Sequence, residues 1–256
     1  MKLNSYHIGS ADAPALIIIH GLFGSASNFR SLAKIYSEDF SVTCLDLRNH
    51  GASPHDNDVS FDAMAADVVE FMDDHGIARA HIMGHSLGGK VAMQLALTHP
   101  DRIDKLIIGD IAPITYPHHH DRIFEGLQAV RAARLTSRKE AEAILAEYVQ
   151  IPQVRLFLMT NMVRGADQVF DWRINVDGLQ QNYAELAKAP TGTPFTGKSC
   201  FIRGEMSDYV EETTYDVIKQ FFPQAEIVTL KGAGHWLHAE KPQEYVRLTL
   251  DFLKKD

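Results

Sequence analysis

Ser86 sits between two glycines in Gly84-His85-Ser86-Leu87-Gly88, after the apolar run Ala80, Ile82, Met83 and before Lys90 to Leu97, an alanine-rich stretch with helical spacing. A serine on such a strand-to-helix turn can act as a nucleophile. The turn is so tight that a side chain at Gly84 or Gly88 would collide with its neighbours. In return the hydroxyl is exposed above the sheet, with the amide of Leu87 and the positive end of the new helix beside it. The five-residue pattern is short enough to arise by chance, and the strand-turn-helix context is what gives it weight. A serine hydroxyl is a weak nucleophile alone, so the chemistry needs a base, and the base needs an orienting acid.

Thirteen histidines are available as the base. His235 follows an apolar run in Gly232-Ala233-Gly234-His235-Trp236, a loop whose small residues let an imidazole swing over a sheet edge. His238 is the rival, but it lies where the final helix begins and is expected to pack there. His20 precedes a turn glycine and His85 flanks the serine, and both are assigned structural roles. The run His118-His119-His120 invites a metal, yet no Cys or acidic partner stands at ligand spacing and consecutive residues rarely share one coordination sphere. It is read as exposed surface, and no metal is assigned.

An oxyanion needs two amide donors. Leu87 supplies one. The second is expected from the loop after Ala15 to Ile19, where Gly21 lets the chain approach the serine; Leu22 is the first choice and Phe23 the alternative.

The elements that must position these residues alternate along the chain. Lys2 to Ile8 reads as an edge strand, Ala15 to Ile19 and Phe40 to Leu45 as buried strands, and Phe61, Met64, Val68, Phe71 and Met72 as one helical face. Lys105 to Ile108 is a further strand ending in Gly109-Asp110-Ile111-Ala112-Pro113. From Pro113 to Pro194 only amphipathic helices are expected, one of them through Val154, Phe157, Leu158 and Met162. Strands resume at Ser199 to Arg203 and Glu226 to Leu230, and a last helix carries Tyr245, Leu248 and Phe252. The pattern predicts a doubly wound α/β core, residues 1–112 and 195–256, with a helical cap, residues 113–194, at the carboxyl ends of the strands where ligands bind.

The 256 residues suffice to bury a real core. A net charge of −8 without a basic stripe disfavours nucleic acid and anionic membranes as partners. No run is long enough to span a membrane, and the N-terminus lacks an apolar signal core. Cys44 and Cys200 lie in apolar strand-like runs and are read as free thiols. A soluble cytoplasmic protein is expected.

The blocks His20-Gly21-Leu22-Phe23-Gly24-Ser25, Asp46-Leu47-Arg48-Asn49-His50-Gly51, Gly84 to Lys90, Asp110-Ile111-Ala112-Pro113 and Gly232 to Trp236 together resemble the α/β-hydrolase superfamily. More narrowly they resemble bacterial YbfF-type esterases and their mitochondrial relatives. The resemblance runs nearly end to end and is weakest in the insertion. It implies eight mostly parallel strands, a helical cap inserted after strand six, and hydrolysis of carboxylic esters or acyl thioesters without a cofactor.

The resemblance also bears on the acid. In most of the superfamily it sits three residues after a glycine ending the penultimate strand; Gly204 plus three is Ser207, and Asp208 is one residue out of register. One residue along an extended loop moves a side chain by ~3.3 Å and turns it the other way. In the YbfF-like group the acid follows the preceding strand, which here is Asp110. Asp110 is therefore expected, with Asp208 as the alternative and Glu205 third. Asp46 is read as a partner for the loop that carries Arg48.

The expected activity is serine-dependent acyl hydrolysis by Ser86, His235 and Asp110, with Phe23, Phe124, Phe157 and Trp236 as candidate substrate contacts. Cleavage of a C–C bond or a cofactor-free haloperoxidase reaction could run on the same residues. A non-enzymatic ligand-binding relative is the alternative of a different class. Dehalogenases and epoxide hydrolases of this fold use an aspartate nucleophile, which Ser86 argues against.

Overall fold

The aliphatic run Ala15–Ile19 forms strand β2 at the interior of a seven-stranded sheet in a computed structural model that describes residues 1–255. Around it lie β1 (Ser5–Ile8), β3 (Ser41–Leu45), β4 (Ala80–His85), β5 (Ile103–Gly109), and two late strands, β8 (Lys198–Gly204) and β9 (Ala225–Leu230). The order across the sheet is β1-β3-β2-β4-β5-β8-β9, with β1 antiparallel to β3 and every other pair parallel.

Both faces are covered, which is why the strands read as continuous apolar runs. Ile17, Ile19, Ile82 and Ile108 face the side packed by α2 (Phe61–Asp74) and α3 (Leu87–Thr98). Leu16, Ile18, Met83 and Ile107 face the side packed by α1 (Arg30–Tyr36) and α11 (Pro242–Lys254). Cys44 and Cys200 are free and buried on that second side, where burial pushes each thiol up to about 12.

The sheet has seven strands, not eight, and the insertion follows the fifth strand in chain order, not the sixth. The turn Ser10–Ala13 sends the chain from β1 directly into central β2, so no further antiparallel strand is laid outside β1. The insertion comprises α4 (Asp121–Ala132), α5 (Arg138–Tyr148), α6 (Pro152–Met159), α7 (Val176–Gln181) and α8 (Tyr183–Ala187), and it also holds a hairpin of β6 (Met162–Arg164) and β7 (Phe170–Trp172). This hairpin corrects the all-helical expectation. Its three-residue strands are too short to display an alternation, and Met162 lies beyond the end of α6. Two short helices complete the core, α9 (Tyr215–Phe221) and α10 (Leu237–Glu240).

Two side chains on α3 hold the ends of the insertion. Lys90, fully buried, donates to the carbonyls of Ile114 and Lys188 and lies 5.0 Å from the Tyr116 ring centre; burial pulls its ammonium down to about 7. One turn later Gln94 exchanges two 2.9 Å hydrogen bonds with the backbone of Thr191. The helix that begins beside Ser86 is thus also the rail on which the insertion is seated.

Candidate active site

Ser86 has φ 53° and ψ −117°, a backbone state that few non-glycine residues adopt. The two flanking glycines are packed too tightly for any side chain. A Cβ on Gly84 would lie 2.2 Å from the Gly88 carbonyl oxygen, and one on Gly88 would lie 2.3 Å from that of Ile19. The Ser86 amide donates to the Gly109 carbonyl at 2.9 Å. Phe23 (φ 62°) and Asp110 (φ 49°) are also held in the left-handed region. They follow β2 and β5 as Ser86 follows β4, so backbone strain gathers at the carboxyl edge of the sheet.

Asp110 is completely buried, and its Oδ2 lies 2.7 Å from Nδ1 of His235. Oδ1 accepts from the Gly204 amide at 2.8 Å, and the Ser207 hydroxyl donates to Oδ2. The Tyr209 ring stacks on His235 at 4.1 Å with 22° between planes. Nε2 of His85 donates to the His235 carbonyl at 2.8 Å, which fixes the loop from beneath. Burial, reinforced by neighbouring histidines, keeps His85 well below the ordinary imidazole range, so it serves as a neutral strut.

The alternative acids lie elsewhere. Asp208 is exposed, while Glu205 accepts from the Gly232 amide at 2.8 Å and braces the histidine loop. Asp46 holds the Arg48 loop as read, through Ala52 N at 2.9 Å, and also takes Ala26 N at 2.7 Å. Arg48 itself forms its ion pair with Asp67, at 2.7 Å.

Two buried histidines set the loop after β2. His20 Nε2 accepts from Leu47 N at 3.1 Å and its Nδ1 donates to Gly21 O at 2.8 Å. His50 Nε2 accepts from Phe23 N at 3.2 Å and its Nδ1 donates to Arg48 O at 2.9 Å. Burial lowers both, His50 to about 3, so each carries the single ring proton this pairing requires. The consequence falls on the amides. Phe23 N–H is engaged, while among the described residues no acceptor takes the N–H of Leu22 or of Leu87. Gly21 brings that loop close, since a Cβ there would sit 3.2 Å from Ser86 Cβ.

Ser86, His235 and Leu22 border one cavity of about 780 Å³. No hydrogen bond joins Ser86 to His235 among the described residues, a common state of such pairs without substrate. Of the four proposed substrate contacts, Phe23, Phe157 and Trp236 line the cavity. Phe124 does not: it is buried behind Phe23, ring centres 5.2 Å apart, as core of the insertion. His238 stacks on Phe29 at 4.4 Å and also borders the cavity.

His118 and His119 are exposed as read, but His120 turns inward, lines the cavity and bonds through Nδ1 to the Tyr183 hydroxyl. Among the described residues no group of three potential ligands could hold a metal. Ser207, Tyr209 and His120 escaped the sequence reading. Ser207 is named there only as the residue at the position where most of the superfamily carries its acid, and His120 only within the histidine run read as surface.

Residues 14–242 match the family described as alpha/beta hydrolase fold. The chain is 38% identical to the mouse sn-1-specific diacylglycerol lipase ABHD11, over 97% of this chain and 84% of that protein. It is 38% identical to esterase YbfF of Escherichia coli K12, over 93% of this chain and 92% of that one. A solved structure described as a marine microorganism esterase superposes with a TM-score of 0.95 at 38% identity, covering 98% of this chain and 99% of that chain. The chain belongs to the alpha/beta hydrolase fold family.

Proposed function

We propose that this protein is a serine hydrolase that cleaves carboxylic esters or acyl thioesters through an acyl-enzyme. The observation that carries the reading is the 2.7 Å contact between the buried Asp110 carboxylate and His235 Nδ1, at the edge of a cavity bordered by Ser86. His235 Nε2 takes the Ser86 proton as Oγ attacks the carbonyl carbon, and Asp110 stabilises the imidazolium that forms. The Leu22 and Leu87 amides, free of protein acceptors, receive the oxyanion. Collapse of the tetrahedral species breaks the bond to the leaving oxygen or sulfur, which takes the proton from His235. Water, activated by the same imidazole, then releases the acid and restores Ser86.

The cavity wall near Ser86 is largely apolar, with Leu22, Phe23, Leu32, Val154, Phe157 and Trp236, which suits an acyl chain. The relatives' names, esterase and diacylglycerol lipase, point the same way. A small-molecule ester or thioester is the proposed substrate, and among the described residues no helix is long and apolar enough to cross a membrane. A stoichiometric fluorophosphonate should label Ser86 and abolish turnover of p-nitrophenyl esters. Graded acyl-CoA thioesters run alongside decide between the two substrate types. Folded protein that turns over esters with Ser86 unlabelled would overturn the assignment.

A further inference from the structure

A second, smaller chamber of about 50 Å³ lies against Ser86 beside Leu87, Tyr116 and Tyr209. The residues common to both chambers are Leu22, Ser86 and His120. Two of these belong to the proposed machinery. The third, His120, comes from the insertion and lines both chambers together with Ser86.

The ring of His120 is oriented from two sides. Phe23 meets its edge at 5.9 Å, and Nδ1 is hydrogen-bonded to the Tyr183 hydroxyl. With the Tyr183 hydroxyl as the donor of this hydrogen bond, Nδ1 accepts. Burial, with His235 nearby, holds the imidazole at about 4, and the neutral ring then carries its one proton on Nε2. Nε2 has no protein partner among the described residues. The insertion therefore offers one fixed, uncharged N–H donor at the junction, in a wall that is otherwise mostly apolar.

We propose that His120 is a specificity-determining residue whose Nε2–H binds an oxygen of the substrate close to the scissile carbonyl, so that the enzyme selects esters bearing an ether, carbonyl or hydroxyl oxygen two to four bonds from the reacting carbonyl carbon over hydrocarbon esters of the same shape. The inference rests on the esterase reading above. The physical ground is that a donor placed for a substrate oxygen stays unpaired when a methylene takes that position. The oxygen can lie in the acyl part or in the alcohol part, and the two are separable by experiment.

Two isosteric pairs that exchange CH₂ for O supply the test. p-Nitrophenyl methoxyacetate against p-nitrophenyl butyrate probes the acyl side, and 2-methoxyethyl butyrate against n-butyl butyrate probes the alcohol side. The readout is the ratio of kcat/KM within each pair, compared between the natural enzyme and each variant, so that intrinsic ester reactivity cancels. His120→Phe is expected to lower the ratio by about fivefold to tenfold in one pair, the worth of one neutral hydrogen bond, and to leave the other pair's ratio unchanged. His120→Gln, which keeps an N–H near Nε2, should retain most of the ratio. Tyr183→Phe, which frees the tautomer, should lose part of it and carries the test if His120→Phe does not fold. Ratios within twofold in both pairs for His120→Phe and Tyr183→Phe would overturn the proposal and leave His120 a packing residue. Failure of the natural enzyme to cleave any of the four esters would instead overturn the esterase reading, and this inference with it.

Discussion

The Ser207 hydroxyl donates to Oδ2 of Asp110, the same oxygen that lies 2.7 Å from Nδ1 of His235. The position three residues after Gly204 thus holds a hydroxyl that bonds a carboxylate carried by the neighbouring strand, the one proposed above as the acid. The two positions can meet because β5 and β8 are adjacent and parallel, with Gly109 opposite Ile202.

Asp110→Asn preserves shape but favours the wrong imidazole tautomer, and kcat should fall on the order of 10⁴-fold. Asp208→Asn should stay within about threefold, because its exposed carboxylate is not the group on Nδ1. Steady-state kinetics on one p-nitrophenyl ester compares them. A larger loss in Asp208→Asn would return the acid to the usual strand.

Ser207→Ala removes one of the donors to a buried carboxylate while Gly204 N–H and His235 remain. Such a hydrogen bond is worth about 1.5–3 kcal/mol, so kcat/KM should drop by roughly tenfold to a hundredfold. In an Asp110→Asn background the same change should cost almost nothing, since the hydroxyl acts through Asp110. Equal losses in both backgrounds would mean that Ser207 has a separate role.

Ser86→Gly and Ser86→Ala should both abolish turnover and yet differ in stability. Alanine keeps a Cβ at φ 53°, ψ −117°, whereas glycine relieves a strain of about 1–3 kcal/mol at a smaller cost in unfolded-chain entropy. For a chain of this length, Ser86→Gly should melt a few degrees above Ser86→Ala, roughly 2–4 °C per kcal/mol. A glycine variant that melts lower would show that the turn is unstrained.

Stability should fall on the acid side through buried histidines. Burial lowers His50 to about 3 and His120 and His238 to about 4, whereas each protonates near about 6.5 in the unfolded chain. Between those values the unfolded chain binds more protons. The stability is therefore complete above about pH 7, is lost as pH drops through about 6.5, and goes on falling to about pH 4 for His120 and His238 and to about pH 3 for His50. Each group contributes about 1.4 kcal/mol per pH unit in that window. Urea midpoints at pH 7.5 and 5.5 test this, and His238→Phe should flatten the dependence. A midpoint that does not move between the two pH values contradicts the account.

Local patterns were enough to determine the α/β alternation, the Ser86 turn and the approach of Leu22, because each is dictated within a few residues: aliphatic runs for buried strands, glycines where a Cβ would strike backbone. The carboxylate that meets His235 is not legible in the same way. Asp110 and Asp208 are both carboxylates at strand ends, and choosing between them without a family resemblance requires knowing that β5 lies between β4 and β8. The hairpin of β6 and β7 stayed hidden because three-residue strands leave no periodicity. His120 was read as surface because three consecutive histidines carry no signal of direction, and only the packing of Phe23 and Tyr183 turns the third one inward. Phe124 erred the other way, since an aromatic on an amphipathic face fits core and cavity wall equally well. A sequence fixes what the chain must do over one or two turns; which side chains meet across strands far apart in sequence is set by sheet order and by packing, and these exist only once the chain has folded.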